Sequence, residues 1–260
     1  MDYFKKYDKN PAEDLKWNIP ERKQGAIAIA GGNAQNFHSI VKTAEWAGAN
    51  YPLEDVKVIL PDVLKNKLPP VPGLVFLAST ESGSLADGEG IVSALSSVDY
   101  GILLGDLSKN STTGQAVAET CKSATAPLIV TRDTVDLLAD NIKEDILMNE
   151  NLTVMASVAQ LQKLLRAIYY PKILTLTQPL TQIAEVLHKF TLSYPVRIIT
   201  LHNGQILIAQ SGEVADIPLE NSSYSPMMFW NGELAAKIAI YNIYNPNNFL
   251  KATTCACFSL

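Results

Sequence analysis

Gly25-Ala26-Ile27-Ala28-Ile29-Ala30-Gly31-Gly32-Asn33 opens the pattern on which the architecture rests. An apolar run of strand length ends in two glycines and an amide residue. Unbroken apolar character marks a strand buried on both faces of a sheet. Behind it, Phe37, Ile40, Val41, Ala44 and Ala47-Gly48 recur three or four apart, the spacing of one helix face. Val56-Lys57-Val58-Ile59-Leu60 is the next strand, closed by Pro61. Strand, helix, strand is the βαβ unit.

The unit repeats along the chain. Leu74 to Ala78 reads as a strand, Gly88 to Ser97 as a helix, Tyr100 to Leu104 as a strand, Thr112 to Ser123 as a helix and Pro127 to Val130 as a strand. Short helices follow at Val135 to Asp140 and Glu144 to Met148. Leu152 to Ala156 is a strand, and Val158 to Ile168 a helix with Leu161, Leu164 and Leu165 inward. Ile173 to Leu176 and Arg197 to Leu201 read as further strands around a helix at Pro179 to Phe190. Such alternation predicts an α/β fold with a mostly parallel sheet covered by helices on both faces. Asn203-Gly204, between Ile198-Leu201 and Gln205-Ala209, signals a type I′ hairpin and hence a C-terminal antiparallel pair. Glu233 to Asn242 and Asn247 to Phe258 read as two helices packed on the sheet.

Composition narrows the function. At 260 residues the chain suits one large domain, read as 21–260, preceded by a polar extension over 1–20 with a short turn at Asp14 to Trp17. The net charge of −5, with scattered Lys and Arg, lacks the basic stripe of a nucleic-acid binder. No apolar run approaches the roughly 18 residues of a membrane span. Met1-Asp2-Tyr3-Phe4-Lys5-Lys6 has no apolar signal region, so secretion is not expected. Cys121, Cys255 and Cys257 make no disulfide framework, and the last two lack the partners of a zinc site. They read as small core residues in a reducing cytoplasm, and no metal ligand set is assigned.

Two segments carry chemistry. Gly31-Gly32-Asn33 places a flexible loop at the carboxyl end of a parallel strand, where open α/β sheets bind ligands. It is neither G-x-G-x-x-G nor a Walker A loop. Near the end, Phe229-Trp230-Asn231-Gly232-Glu233-Leu234-Ala235-Ala236 sets a Gly-acid pair at a helix start. Unpaired N–H groups and the positive end of a helix dipole make such a start a phosphate cradle. An acid one step inside it has the position of a general base.

Taken in order, these pieces resemble the NAD(P)H-hydrate dehydratase family of the ribokinase-like superfamily. Lys23 to Asn33 is similar to its K-G-x-x-G-x-x-x-x-x-G-G-S opening, and Ala44-Glu45-Trp46-Ala47-Gly48-Ala49 to A-A-L-R-A-G-A. Asp99 to Ser108 resembles A-x-x-I-G-P-G-L-G, and Pro127 to Leu138 resembles P-x-V-x-D-A-D-A-L-N-L-L. Ile173-Leu174-Thr175 matches the start of I-L-T-P-H-P-G-E, and Asn231 to Ala236 lies where the family has G-[ST]-G-D-x-L-A-G. The series runs from about residue 20 to 258.

The resemblance implies a ribokinase-like fold that uses ATP or ADP, with Mg²⁺ bridging phosphates, to phosphorylate the hydroxyl of hydrated NADH or NADPH. Loss of the phosphate then restores the ring. It implies Glu233 as base and Asn231-Gly232 as anion hole, with His202-Asn203-Gly204 on the nucleotide side. Gly31, Gly32, Asn33, Gly105, Asp106, Asp133 and Thr177 would face an NAD(P)H-type substrate. Superfamily relatives often form homo-oligomers, which the apolar content of 47% permits.

The chain departs from the pattern at most catalytic positions. Glu233 replaces Asp, and a displaced carboxylate can lower a rate on the order of 10²-fold. P-H-P-G-E becomes Leu176-Thr177-Gln178-Pro179-Leu180, and P-G-L-G becomes Asp106-Leu107-Ser108-Lys109. A carboxylate at 106 repels a phosphate unless a metal or Lys109 intervenes. Structural roles compete at each position: Glu233 as a first-turn acid, Asp133 as a cap of its own helix, His202 as an exposed strand end, and the aromatic pair as sheet packing. Three readings stay open: an active dehydratase, a catalytically degraded nucleotide-binding or structural relative, and a small-molecule kinase.

Overall fold

The computed structural model describes residues 2–12, 20–219 and 228–258; the turn expected at Asp14 to Trp17 lies outside them. The alternation read in the sequence is realised. Strands are β1 (Phe4–Lys6), β2 (Ala26–Gly31), β3 (Asp55–Pro61), β4 (Leu74–Leu77), β5 (Tyr100–Gly105), β6 (Leu128–Thr131), β7 (Leu152–Ser157), β8 (Arg197–His202), β9 (Gln205–Gln210) and β10 (Glu213–Pro218). Helices are α1 (His38–Asn50), α2 (Gly88–Leu95), α3 (Ser111–Ser123), α4 (Asp133–Asn141), α5 (Val158–Ala167), α6 (Leu180–Ser193), α7 (Glu233–Tyr244) and α8 (Phe249–Phe258). Glu144–Met148 is a 3₁₀ turn rather than an α-helix.

All ten strands form one sheet in the order β1-β10-β9-β8-β7-β6-β5-β2-β3-β4. Only β9 runs against its neighbours. Asn203 and Gly204 both take positive φ, 47° and 73°, as a type I′ turn requires. Two expectations fail. Ile173 to Leu176 is an irregular segment with Ile173 and Leu176 exposed and only Leu174 buried, because no strand position is left for it beside β8. The stretch read as an extension contributes β1, which pairs in parallel with β10 at the sheet edge.

Each sheet face carries its own core. One face holds Ile91, Val117, Leu138, Leu161 and Leu187 from α2 to α6. The other holds Ile40 of α1, Leu234 to Tyr241 of α7, and Cys255 and Cys257 of α8. Every residue of α7 from Leu234 to Asn242 is buried, which explains its lack of a polar face. Helix α7 is thus packed between the sheet, α1 and α8.

Candidate functional site

The chain leaves β2 toward β3 and β4 on one side and returns to start β5 on the other. This reversal makes the carboxyl ends of β2 and β5 the switch-point crevice of the sheet. Gly31, Gly32, Asn33, Gly105 and Asp106 all meet there. The Gly32 N–H donates to the Gly105 carbonyl at 2.8 Å. A Cβ on Gly31 would lie 2.4 Å from that carbonyl oxygen, so the two loops touch through glycine alone.

Side chains then lock the crevice. The Asp133 carboxylate accepts from the Asp106 N–H and the Leu107 N–H, both at 2.9 Å. Asp133 therefore clamps the β5 loop and makes no cap bond to its own helix, correcting the capping expectation. The Asn33 amide donates to the Asp106 carbonyl at 2.7 Å, and its oxygen accepts from the Gln35 and Asn36 N–H groups. The Asp106 carboxylate pairs with Arg132 at 2.6 Å and accepts from the Ser39 hydroxyl, which in turn accepts from Arg132 at 3.0 Å. Arg132 and not Lys109 neutralises Asp106; Lys109 is exposed. Asp106 and Arg132 both hold positive φ, 57° and 56°, a strained conformation for non-glycine residues that concentrates at functional sites.

Beside this lock lies a pocket of about 470 Å³ lined by Arg132, Asp133, Asp136, Ser157, Gln160 and Trp230. Ser157 and Gln160 form a capping box at the start of α5, which fixes both side chains. Gln160 also donates to the Arg132 carbonyl at 2.8 Å and to Asp136 at 2.9 Å. Phe229 is buried and meets Trp230 edge-to-face at 4.5 Å between centroids, leaving Trp230 half-buried at the pocket mouth. The aromatic pair divides its labour: Phe229 packs in the core, and Trp230 offers a flat wall.

The first turn of α7 borders the same crevice. Gly232 has φ 95°, and a Cβ there would lie 2.6 Å from Thr43 Oγ1 and 2.8 Å from Leu104 Cδ1. Thr43 is one helical turn from Ser39 on α1, which links this corner to the Asp106–Arg132 pair. The Asn231 side chain accepts from the Glu233 N–H at 3.0 Å, so one donor of the expected anion hole is already taken. Glu233 is half-buried, and among the described residues its carboxylate makes no ion pair.

The remaining candidates form a second cluster. His202 is buried and its Nε2 lies 3.0 Å from the Gln178 carbonyl and 3.0 Å from Asn203 Nδ2, correcting its reading as an exposed strand end. Thr177, exposed in the loop before α6, stands beside this cluster and not beside Gly31. Strand β8 is three places from β5, a separation of about 14 Å. A ligand touching both clusters has to span that distance along the carboxyl edge.

Arg132, Ser39, Asp136 and Gln160 escaped the sequence reading. A cation at the one residue between β6 and α4 was the available signal for Arg132. Nothing local marks Ser39, which reaches the crevice only through the packing of α1. Among the described residues, no three His, Cys, Asp or Glu side chains gather as a cation site.

No family model matches the sequence, and no curated protein matches it. Solved structures do. The chain superposes on a ribokinase-like superfamily protein from Enterococcus faecalis with TM-score 0.66 at 16% identity, covering 98% of this chain and 85% of that one. YxkO from Bacillus subtilis, a member of the UPF0031 family, gives 0.61 at 12% identity over 95% and 84%. The pyridoxal kinase of Staphylococcus aureus in complex with ADP gives 0.52 at 11% identity over 91% and 86%. The fold is therefore ribokinase-like, as the resemblance implied. At these identities the likeness concerns architecture.

Proposed function

We propose that the protein binds ATP or ADP together with a small hydroxyl-bearing molecule along the carboxyl edge, and that its phosphoryl-transfer centre is closed. The reading rests on one observation: the Arg132 guanidinium already holds the Asp106 carboxylate and Ser39. Phosphoryl transfer depends on positive groups aimed at charge that develops in the transition state. A guanidinium paired at 2.6 Å offers that charge only after a phosphate displaces Asp106. The Asn231 cap on the Glu233 N–H weakens the anion cradle in the same direction.

Nucleotide binding draws support from the fold, since a kinase of similar architecture holds ADP. Phosphates would lie between Asn231-Gly232 and His202-Asn203-Gly204, and Mg²⁺, where used, would be carried mainly by phosphate oxygens and water. The smaller molecule would lie near Gly31, Gly32, Asn33, Gly105 and Asp133, against Trp230. Calorimetric titration with ADP and ATP tests this, alongside incubation with hydrated NADH while following the reduced-nicotinamide band. The expected result is saturable nucleotide binding without recovery of the band. Asp106→Asn should tighten ADP about tenfold by releasing Arg132, equivalent to about 1.4 kcal/mol. Absence of binding by either nucleotide would overturn the proposal.

A second reading keeps the chemistry: an NAD(P)H-hydrate dehydratase or small-molecule kinase with Glu233 as base. The Glu233 carboxylate at the opening of α7, which makes no ion pair among the described residues, favours it. Glu233 would take the proton of the substrate hydroxyl as its oxygen attacks the terminal phosphorus and the nucleotide leaves. Band recovery that disappears in Glu233→Gln would establish this second reading.

A further inference from the structure

The opposite edge of the sheet carries a separate polar pocket. It has a volume of about 330 Å³ and is lined by Tyr100, Pro127, Asn151, Arg197 and Asn242, with Asp99 at its exposed rim. Tyr100 begins β5, five residues before Gly105, so the pocket stands about 16 Å from the crevice. Register builds it: Ile102, Ile129, Thr153 and Arg197 are in line across β5, β6, β7 and β8, and Tyr100 shares that face two residues earlier. The turn between α7 and α8 covers it.

Three buried polar atoms here stand out among the described residues. Tyr100 Oη, Thr153 Oγ1 and Arg197 Nε complete no full hydrogen bond, although Tyr100 is only 2% exposed and Thr153 is fully buried. The Tyr100 hydroxyl feels the Arg197 charge and interacts loosely, through weak hydrogen bonding, with both Thr153 and Arg197. Burial raises the tyrosine hydroxyl above its ordinary range, against the opposing pull of Arg197, so it stays a donor. Among the described residues Arg197 forms no ion pair, and its guanidinium lies over the Phe249 ring, 4.7 Å from its centre. Stacking uses the face of the guanidinium and leaves its N–H edge for an in-plane acceptor. Buried donors are almost always satisfied in folded proteins, and two such atoms, on Tyr100 and Arg197, belong to residues that line this one cavity, which points to a missing partner.

We infer that this pocket binds a small carboxylate, held by the Arg197 edge and by the Tyr100 hydroxyl. A planar, singly charged carboxylate matches the guanidinium fork. The Asp99 carboxylate on the rim disfavours a phosphate dianion. The site is independent of the carboxyl-edge reading.

Thermal-shift titration of the whole protein with acetate and with benzoate, at ionic strength fixed by sodium chloride, tests the inference. Inorganic phosphate is the competing probe. A saturable rise in Tm with either carboxylate is expected. Arg197→Met and Tyr100→Phe should each weaken the apparent affinity tenfold or more, while Arg132→Gln leaves it unchanged. Should Arg197→Met fail to fold, Tyr100→Phe decides. The inference is overturned by the lack of a saturable shift, by a stronger response to phosphate, or by unaltered affinity in Tyr100→Phe.

Discussion

The two edges of the sheet handle polar groups in opposite ways. At the carboxyl edge Asp133 holds two backbone N–H groups, Asp106 holds Arg132 and Ser39, and Asn33 bridges two loops. At the amino edge Tyr100, Thr153 and Arg197 approach one another, yet Tyr100 Oη, Thr153 Oγ1 and Arg197 Nε complete no full hydrogen bond among the described residues. The charged groups of the carboxyl edge are paired with one another, whereas the Arg197 charge at the amino edge has no carboxylate partner among the described residues. A degraded motif can thus persist as a structural network. An open demand for a ligand appears at the other end of two of the same stretches, those that begin at Asp99 and Pro127.

The largest expected effect tests the paired edge. Asp133→Ala leaves two loop N–H groups without their charged acceptor and should lower stability by about 3 kcal/mol, as read from denaturant melts. Asp133→Asn retains an acceptor oxygen and should lose less. Equal losses in the two variants would show that Asp133 matters by packing alone.

Asp216 supplies a reference outside both edges. It is 2% exposed on β10, and one carboxylate oxygen has no partner. Burial pushes its pKa from 3.8 up to about 6, with Lys6 pulling it down and Asp8 pushing it up. The folded state holds this proton more tightly than the unfolded chain does. Its contribution is therefore full below about pH 3.8 and is lost as pH rises through about 6. Asp216→Asn should stabilise the protein on the order of 1–2 kcal/mol at pH 7 and much less near pH 4. Stability curves at the two pH values check the sign.

Tyr100→Phe sharpens the contrast directly. Removing a donor from the paired edge destabilises, whereas removing this hydroxyl, which completes no full hydrogen bond, should be neutral or stabilise by about 1 kcal/mol when no carboxylate is present. A loss of stability would move Tyr100 into the paired class. Glu233→Gln is the smallest change: a few tenths of a kcal/mol from the helix dipole. A larger loss in thermal melts would reveal a tertiary contact for that carboxylate.

Most of the fold was legible because period and punctuation are local. The apolar run at Ala26 to Ala30, the spacing of Ile40, Ala44 and Ala47, and the Asn203-Gly204 turn each state their geometry within a few residues. Ile173 to Leu176 shows the limit: strand propensity needs a free sheet position, and α6 delivers the chain to β8 without using one. Glu213–Pro218, the missed β10, is the reverse case, a strand made by its pairing with β9 despite Glu213 and Asp216. At the site, Asp133, Asp106 and Asn33 were identified as candidates, but their partners were not.

The sequence by itself determined the alternating α/β order, the hairpin, the burial of both cysteines in α8 and the glycine loop at Gly31 to Asn33. Tertiary structure alone decided that Arg132 neutralises Asp106, that Asp133 clamps a loop 26 and 27 residues upstream, and that Tyr100 and Arg197 share a cavity. Periodicity is written in neighbouring residues. Charge pairing and hydrogen-bond satisfaction depend on strand order and register, which bring together side chains that the chain itself keeps far apart.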